Sequence, residues 1–318
     1  MKVLIELPTW LGDCVMATPA IENIVNFDNE MEITFIGSSV SIEAMKNHPK
    51  VVKTAVLSKK YTDLYKVSKD LGRFDAFFSF RSSLRSKFLK FSISAEKKYQ
   101  FEKNKYINYH QVEKYNNFVN DSLGINSKPG KLKLVSSSTL ATTLSEDIPG
   151  VKNSKPTLGI NPGASYGSAK RWYPEEFAKV ASKLSNQYDI VIFGGPGEVD
   201  IALDIEKSLI QSGVNNYRNI AGKTTIPELI ENSSNVDLFI TGDSGPMHLA
   251  AAFQVPTVAI FGPTKDDETS QWMNDKSIIV KKNLDCQPCM KRTCPLKHHE
   301  CMKLVSAAEV LDAVRGLS

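Results

Sequence analysis

The sequence predicts an α/β protein of two domains, and three observations carry that expectation. Strand and helix patterns alternate in both halves of the chain. A length of 318 residues suits two domains of roughly 150 residues each, and a hydrophobic fraction of 42% is enough for two buried cores. Between the halves, residues 136–156 form a run rich in Ser, Thr, Pro and charge. The expected division is a first domain at 1–145, a linker at 146–156, a second domain at 157–302 and a terminal helix at 303–318.

The first strand, 2–7, stops at Pro8 in MKVLIELPTWLGD. A short apolar run ended by proline reads as a strand and not as a secretory signal. Asp13 follows Gly12 at the carboxyl end of this strand and precedes the apolar stretch 15–21. It reads as that helix's cap, the preferred local reading, or as a carboxylate pointing into a crevice between domains. Strands follow at 32–37, 51–57 and 74–80. From Arg81 to Lys114 nine Lys or Arg face three Glu, a net of +6. A solvated charged face is the favoured reading, but a patch toward an anionic substrate or membrane surface fits the same residues.

The alternation restarts at 157–161 and continues at 189–194, 236–241, 257–261 and 277–281. The loop after the first of these strands holds Lys170 and Arg171, paired cations that read equally as exposed or as partners for a diphosphate. A helix is signposted after Trp172 by Pro174, by Glu175 and Glu176 in its first turn, and by Phe177, Val180, Ala181 and Leu184 on one face. The segment ITGDSGPMHLAAA (240–252) runs an apolar strand into a glycine-flanked acidic turn that opens a helix. Unpaired N–H groups and the positive end of the helix dipole suit an anion there. Asp243 or Ser244 reads equally as an ordinary N-cap. A final helix is expected at 307–314.

Several function classes fall away. Lys plus Arg (39) exceeds Asp plus Glu (35) by four, so no nucleic-acid partner is demanded. Gly222-Lys223-Thr224 imitates the end of a P-loop, but Tyr217 stands where the loop needs its first glycine. The first strand–helix turn has one glycine where a dinucleotide fingerprint needs three. Gly163–Gly167 matches GxSxG without the immediate helix of a nucleophile elbow. No HExxH helix is present. No apolar run approaches the roughly 20 residues of a bilayer span, so a cytoplasmic protein is expected. Cys286, Cys289, Cys294 and Cys301 have spacing that admits a structural zinc, but reduced thiols in a packed loop are preferred.

Taken together, ELPTWLGDCVMATPAI (6–21), NPGASYGSAKRWYPEEFA (161–178), FGGPGE (193–198), IAGKTTIPEL (220–229), TGDSGPMHLAAA (241–252), FGPT (261–264) and CPLKHHECM (294–302) resemble the lipopolysaccharide heptosyltransferases, most nearly their type II branch. The resemblance implies a GT-B fold, two Rossmann-like domains facing across a cleft, with the acceptor bound by the first and ADP-heptose by the second. It implies inverting transfer of heptose to the first heptose of an anionic lipopolysaccharide or lipooligosaccharide inner core, without metal or other cofactor. By the same resemblance Asp13 is the general base. Lys170 and Arg171 lie near the donor phosphates, and Asp243 holds the donor through sugar hydroxyls. The backbone of Ser244, Gly245 and Met247 meets the diphosphate, with His248 one turn on, while Arg81, Arg85 and Lys87 meet the acceptor at the cytoplasmic face of the inner membrane. The chain departs from its relatives after about Lys59, where the first domain is only loosely familiar. A type I enzyme acting on Kdo-lipid A, another nucleotide-sugar enzyme of GT-B shape and a noncatalytic lipopolysaccharide- or nucleic-acid-binding module are the alternatives.

Overall fold

Runs of buried apolar residues become the central strands of two parallel sheets. A computed structural model describes residues 1–135 and 155–317. Contacts divide the chain into two compact units, Met1–Ser137 and Ser138–Ser318. Most of the expected linker, 146–154, lies outside the described residues.

The first unit is built on β1 (Lys2–Glu6), β2 (Glu32–Gly37), β3 (Val51–Val56), β4 (Arg73–Ser79) and β5 (Ser94–Gln100), in the order β3-β2-β1-β4-β5. All pairings are parallel. Val3, Leu4 and Ile5 of β1 are wholly buried, as expected of a central strand covered on both faces. On one face Leu4, Ile36 and Phe77 pack against Leu64 and Leu89 of the helices Tyr61–Asp70 and Leu84–Ser92.

The second unit continues with β6 (Thr157–Asn161), β7 (Asp189–Ile192), β8 (Tyr217–Asn219), β9 (Leu238–Gly242), β10 (Thr257–Phe261) and β11 (Ser277–Lys281), in the order β11-β10-β9-β6-β7-β8. These pairings are parallel as well. The helix Pro174–Leu184 starts with its proline in the first turn and buries the expected face, Phe177, Val180, Ala181 and Leu184. Trp172 is buried beside Phe177 and donates its indole N–H to the Val305 carbonyl at 2.9 Å. The terminal helix Ala307–Gly316 packs on the helix Pro174–Leu184 and on β10 and β11.

In both sheets the strand order reverses once, between β1 and β4 and between β6 and β9. Helices on either side of such a reversal leave in opposite directions, which opens a crevice at the carboxyl ends of the two strands.

The structure corrects three readings. Strand β5, SAEKKYQ, lies within the stretch that reads from sequence as a charged face, because an edge strand with exposed Ser94, Glu96 and Lys97 has no apolar run. Strand β8 is a three-residue edge strand, too short to show a period. The expected helix at 15–21 is two helices, Leu11–Met16 and Thr18–Val25, joined at Ala17, with Pro19 in the first turn of the second.

Candidate active site

The polar residues singled out above gather at the two reversals. In the first unit β1 ends in Glu6, whose carboxylate is buried and accepts from Ser79 Oγ at 2.5 Å, Ser86 Oγ at 3.0 Å and Arg81 Nη1 at 3.4 Å. Burial pushes the Glu6 carboxyl up from its ordinary range, opposed by those hydroxyls and by the guanidinium groups of Arg81 and Arg85. Arg85 donates to the Ser58 carbonyl, and burial followed by the nearby Arg81 charge lowers its pKa. Glu6 thus binds one of the three expected acceptor cations, Arg81, directly, and Arg85 reaches it only as a nearby charge. Lys87 lies apart from it, on the exposed side of the helix Leu84–Ser92.

Asp13 is not the N-cap that local sequence favoured. Trp10 occupies that position without a side-chain cap, and Asp13 stands in the first turn of the helix Leu11–Met16, half-buried. The helix begins earlier than its apolar residues suggest, because Leu11 and Gly12 already have helical backbone. The Asp13 charge adds to burial in raising the phenol of the buried Tyr115, while Arg81 acts on the same phenol in the opposite sense. Asp13 follows β1 and Arg81 follows β4, the two strands that border the reversal.

In the second unit Asp243 follows β9 and is almost fully buried. Its Oδ2 accepts from Lys170 Nζ at 2.5 Å and from Thr264 Oγ1 at 2.6 Å. Lys170 is itself 13% exposed and lies over the Tyr166 ring at 4.9 Å. A buried cation needs such partners, since an unpaired charge out of water is expensive. Ser244 is the N-cap residue of the helix Gly245–Ala252, but no side chain caps that helix. The Ser244 hydroxyl lies 3.1 Å from Thr241 Oγ1 and accepts from Asn161 Nδ2 at 3.2 Å. The Met247 N–H donates to the Ser244 carbonyl at 3.2 Å, and Pro246 has none to offer. His248 is buried one turn into the helix. Arg171 ends the short helix Ser168–Lys170, with its backbone N–H on the Ser168 carbonyl at 3.0 Å.

Sequence reasoning missed Glu6, Asn161, Glu198 and Thr264. Glu198 is buried, accepts from the Gly195 N–H at 2.7 Å and lies so close to Gly163 that a Cβ there would collide with its carboxylate. Its signal was the Pro-Gly-Glu start of a helix. For Asn161 and Thr264 the signal was a polar residue at, or just past, the carboxyl end of an apolar strand.

The Cys-rich segment braces the loop that carries Lys170. Arg292 accepts from the Ala169 N–H at 3.1 Å through its carbonyl, and Met290 accepts from the Tyr166 hydroxyl at 2.9 Å. His299 Nε2 donates to the Ala169 carbonyl at 2.9 Å, while its Nδ1 accepts from the Tyr173 hydroxyl at 3.2 Å. Gly167 is required where it stands, because a Cβ would collide with the Arg292 carbonyl. Cys286, Cys289, Cys294 and Cys301 line one small apolar cavity and are free thiols. Among the described residues no group of three or more His, Cys, Asp or Glu is placed to hold a metal ion, so the zinc that the spacing admits has no support in the structure.

The chain matches the family model of glycosyltransferase family 9 (heptosyltransferase) over residues 79–300. It is 43% identical over 320 residues to lipooligosaccharide heptosyltransferase 2 of Campylobacter jejuni, covering 100% of this chain and 98% of the relative. Among solved structures it resembles ADP-heptose lps heptosyltransferase II of E. coli, with a TM-score of 0.82 at 19% identity over 100% of this chain and 98% of the other. A family 9 glycosyl transferase from Veillonella parvula matches with a TM-score of 0.82 at 21% identity, covering 99% and 96%. The fold is GT-B, as expected from the sequence.

Burial pushes the Cys14 thiol up to about 12 and the Cys301 thiol, next to the other three cysteines, up to about 11. At pH 8 a thiol of pKa 12 is ionised to only about one part in 10⁴. Iodoacetamide is therefore expected to label the half-buried Cys286, Cys289 and Cys294 while sparing Cys14 and Cys301, as read by peptide mass spectrometry. Labelling of Cys14 at the rate of those three would contradict this assignment.

Proposed function

The chain belongs to glycosyltransferase family 9, the heptosyltransferases, and from that premise we propose that it transfers heptose from ADP-heptose to the first heptose of a lipopolysaccharide or lipooligosaccharide inner core. The observation that carries this reading is a lysine ammonium, Lys170, held by buried Asp243 beside a helix start that no side chain caps. Both features favour a diphosphate.

The second unit binds the donor. Lys170 and Arg171 balance the charge that grows on ADP as its bond to the sugar breaks. Backbone groups at Ser244 and Gly245 face the diphosphate at the start of the helix, with His248 one turn further, while the Met247 N–H is engaged by the Ser244 carbonyl. Oδ2 of Asp243 holds Lys170 and Thr264, and its other oxygen faces the sugar hydroxyls. The first unit binds the acceptor, whose negative charges meet Arg81 and Arg85; Lys87, on the exposed side of its helix, lies outside that set. Asp13 accepts the proton of the acceptor hydroxyl as that oxygen attacks the anomeric carbon from the side opposite ADP, which inverts the configuration. The chemistry uses no metal. The lipid-anchored acceptor places the enzyme at the cytoplasmic face of the inner membrane; among the described residues no helix is long and apolar enough to cross a membrane.

Release of ADP from ADP-heptose, measured with an inner-core acceptor carrying one heptose, tests the reaction. Acceptor-dependent release is expected, and its absence with that acceptor would overturn the reading. In the same assay Asp13→Asn should lower turnover by on the order of 10²–10⁴ and leave ADP binding unchanged. Near-normal turnover would remove Asp13 from the role of base.

Donor binding is tested at Lys170. Lys170→Gln leaves Asp243 a hydrogen-bond donor while removing the positive charge. Calorimetry should show ADP and ADP-heptose weakened together, each by about ten- to a hundredfold, because both carry the diphosphate. Undiminished ADP affinity would place Lys170 outside the phosphate site.

A further inference from the structure

The helices Tyr61–Asp70 and Leu84–Ser92 lie on one face of the first sheet, with Leu64, Leu89 and Ile93 buried against it. They also pack on each other, Tyr61 meeting Phe88 edge-on at 5.2 Å. Their inward faces account for the apolar residues a core needs. Their outward faces carry more. Phe91 is 85% exposed, Leu84 79%, Tyr61 52% and Tyr65 51%. Leu84, Lys87 and Phe91 stand at i, i+3 and i+7, so they form one stripe along the helix. Two adjacent helices that each leave large apolar side chains in water are not explained by folding of this unit.

The charge around these residues is one-sided. Apart from Arg85, which is bound to the Ser58 carbonyl, the two helices together hold four Lys and two Asp. One of the two, Asp63, accepts from Ser58 Oγ at 2.7 Å. Lys69 lies over the Tyr65 ring at 5.3 Å. An apolar stripe with tyrosines at its margin and lysines around it is the pattern of a helix lying in a membrane interface. There the rings and aliphatic groups enter the headgroup boundary while the ammonium groups meet phosphates.

We propose that this outer face of the first unit docks on a bilayer of anionic phospholipids. A second copy of the chain is a poorer occupant, because two such faces would bring like charge together. The docking rests on the reading of a lipid-anchored acceptor only for its purpose. Its chemistry stands on the exposed side chains and the lysines. Lys87, set apart from the Glu6 network, belongs to this face and meets lipid phosphate here.

Sedimentation of the full chain with phosphatidylglycerol–phosphatidylethanolamine vesicles, without donor, measures the docking directly. Binding is expected to these vesicles and not to pure phosphatidylcholine, and added salt should weaken it. The double substitution Leu84→Ser with Phe91→Ser changes only exposed side chains. It should leave circular dichroism and ADP release on a deacylated, water-soluble acceptor unchanged while lowering vesicle affinity by on the order of tenfold or more. The proposal is overturned if the wild type ignores the anionic vesicles or if the double variant binds them as well as the wild type. It is equally overturned if the face instead forms a concentration-dependent dimer that the double substitution abolishes. Vesicle binding that persists in a protein with no ADP release would support the docking and refute the transferase reading alone.

Discussion

The reversal of strand order in a parallel sheet is the constraint on which the rest of this protein depends. Parallel strands need crossover connections, and in each unit the crossovers run one way from the first strand and the other way from its neighbour across the reversal. The carboxyl ends of β1 and β4, and of β6 and β9, are left open between diverging helices. Residues just past those ends come together although sequence separates them widely. Glu6 and Ser79 meet across 73 positions, as do Lys170 and Asp243.

At the second reversal the ion pair of Lys170 and Asp243 organises its surroundings. Breaking a buried pair by removing one partner costs about 3–5 kcal/mol, since the remaining charge is left in a poorly solvated place. Thr264 shares the carboxylate, Tyr166 shares the ammonium, and the Cys-rich segment fixes the loop between them through Ala169. That segment holds Met290, Lys297 and His299 in the left-handed region, which is costly for residues with side chains. Its contacts to the Lys170 loop make those conformations worth keeping.

The first unit uses the same geometry differently. Its buried carboxylate, Glu6, faces Arg81 and two serine hydroxyls and stands one loop before Asp13. A carboxylate whose hydrogen bonds are supplied by protein groups orients the cations that approach it. Arg81 is consequently held by Glu6 and Arg85 by the Ser58 carbonyl, whereas Lys87, two residues on, faces outward.

Local sequence was enough for the elements whose signals are local. Central strands such as β1, β6 and β10 are unbroken apolar runs, and the helix at Pro174 carries proline, first-turn glutamates and an apolar face. The glycine-flanked turn at Asp243 announced a helix start, and the ordered motifs pointed to the family. Edge strands β5 and β8 were not legible, because a strand only partly covered need not be apolar. Asp13 could not be placed from its neighbours, since whether a carboxylate caps a helix depends on where backbone helicity begins. The sequence by itself thus determined two α/β units and the family to which they belong. Only the tertiary structure decided that Asp243 is bound by Lys170 and Thr264, that Glu6 anchors Arg81, and that Lys87 shares a stripe with Leu84 and Phe91. The first two pairings join residues from different strands and loops, and the third shows only once the other side of that helix is seen to be buried against the sheet; burial and charge act through space, where distance along the chain carries no weight.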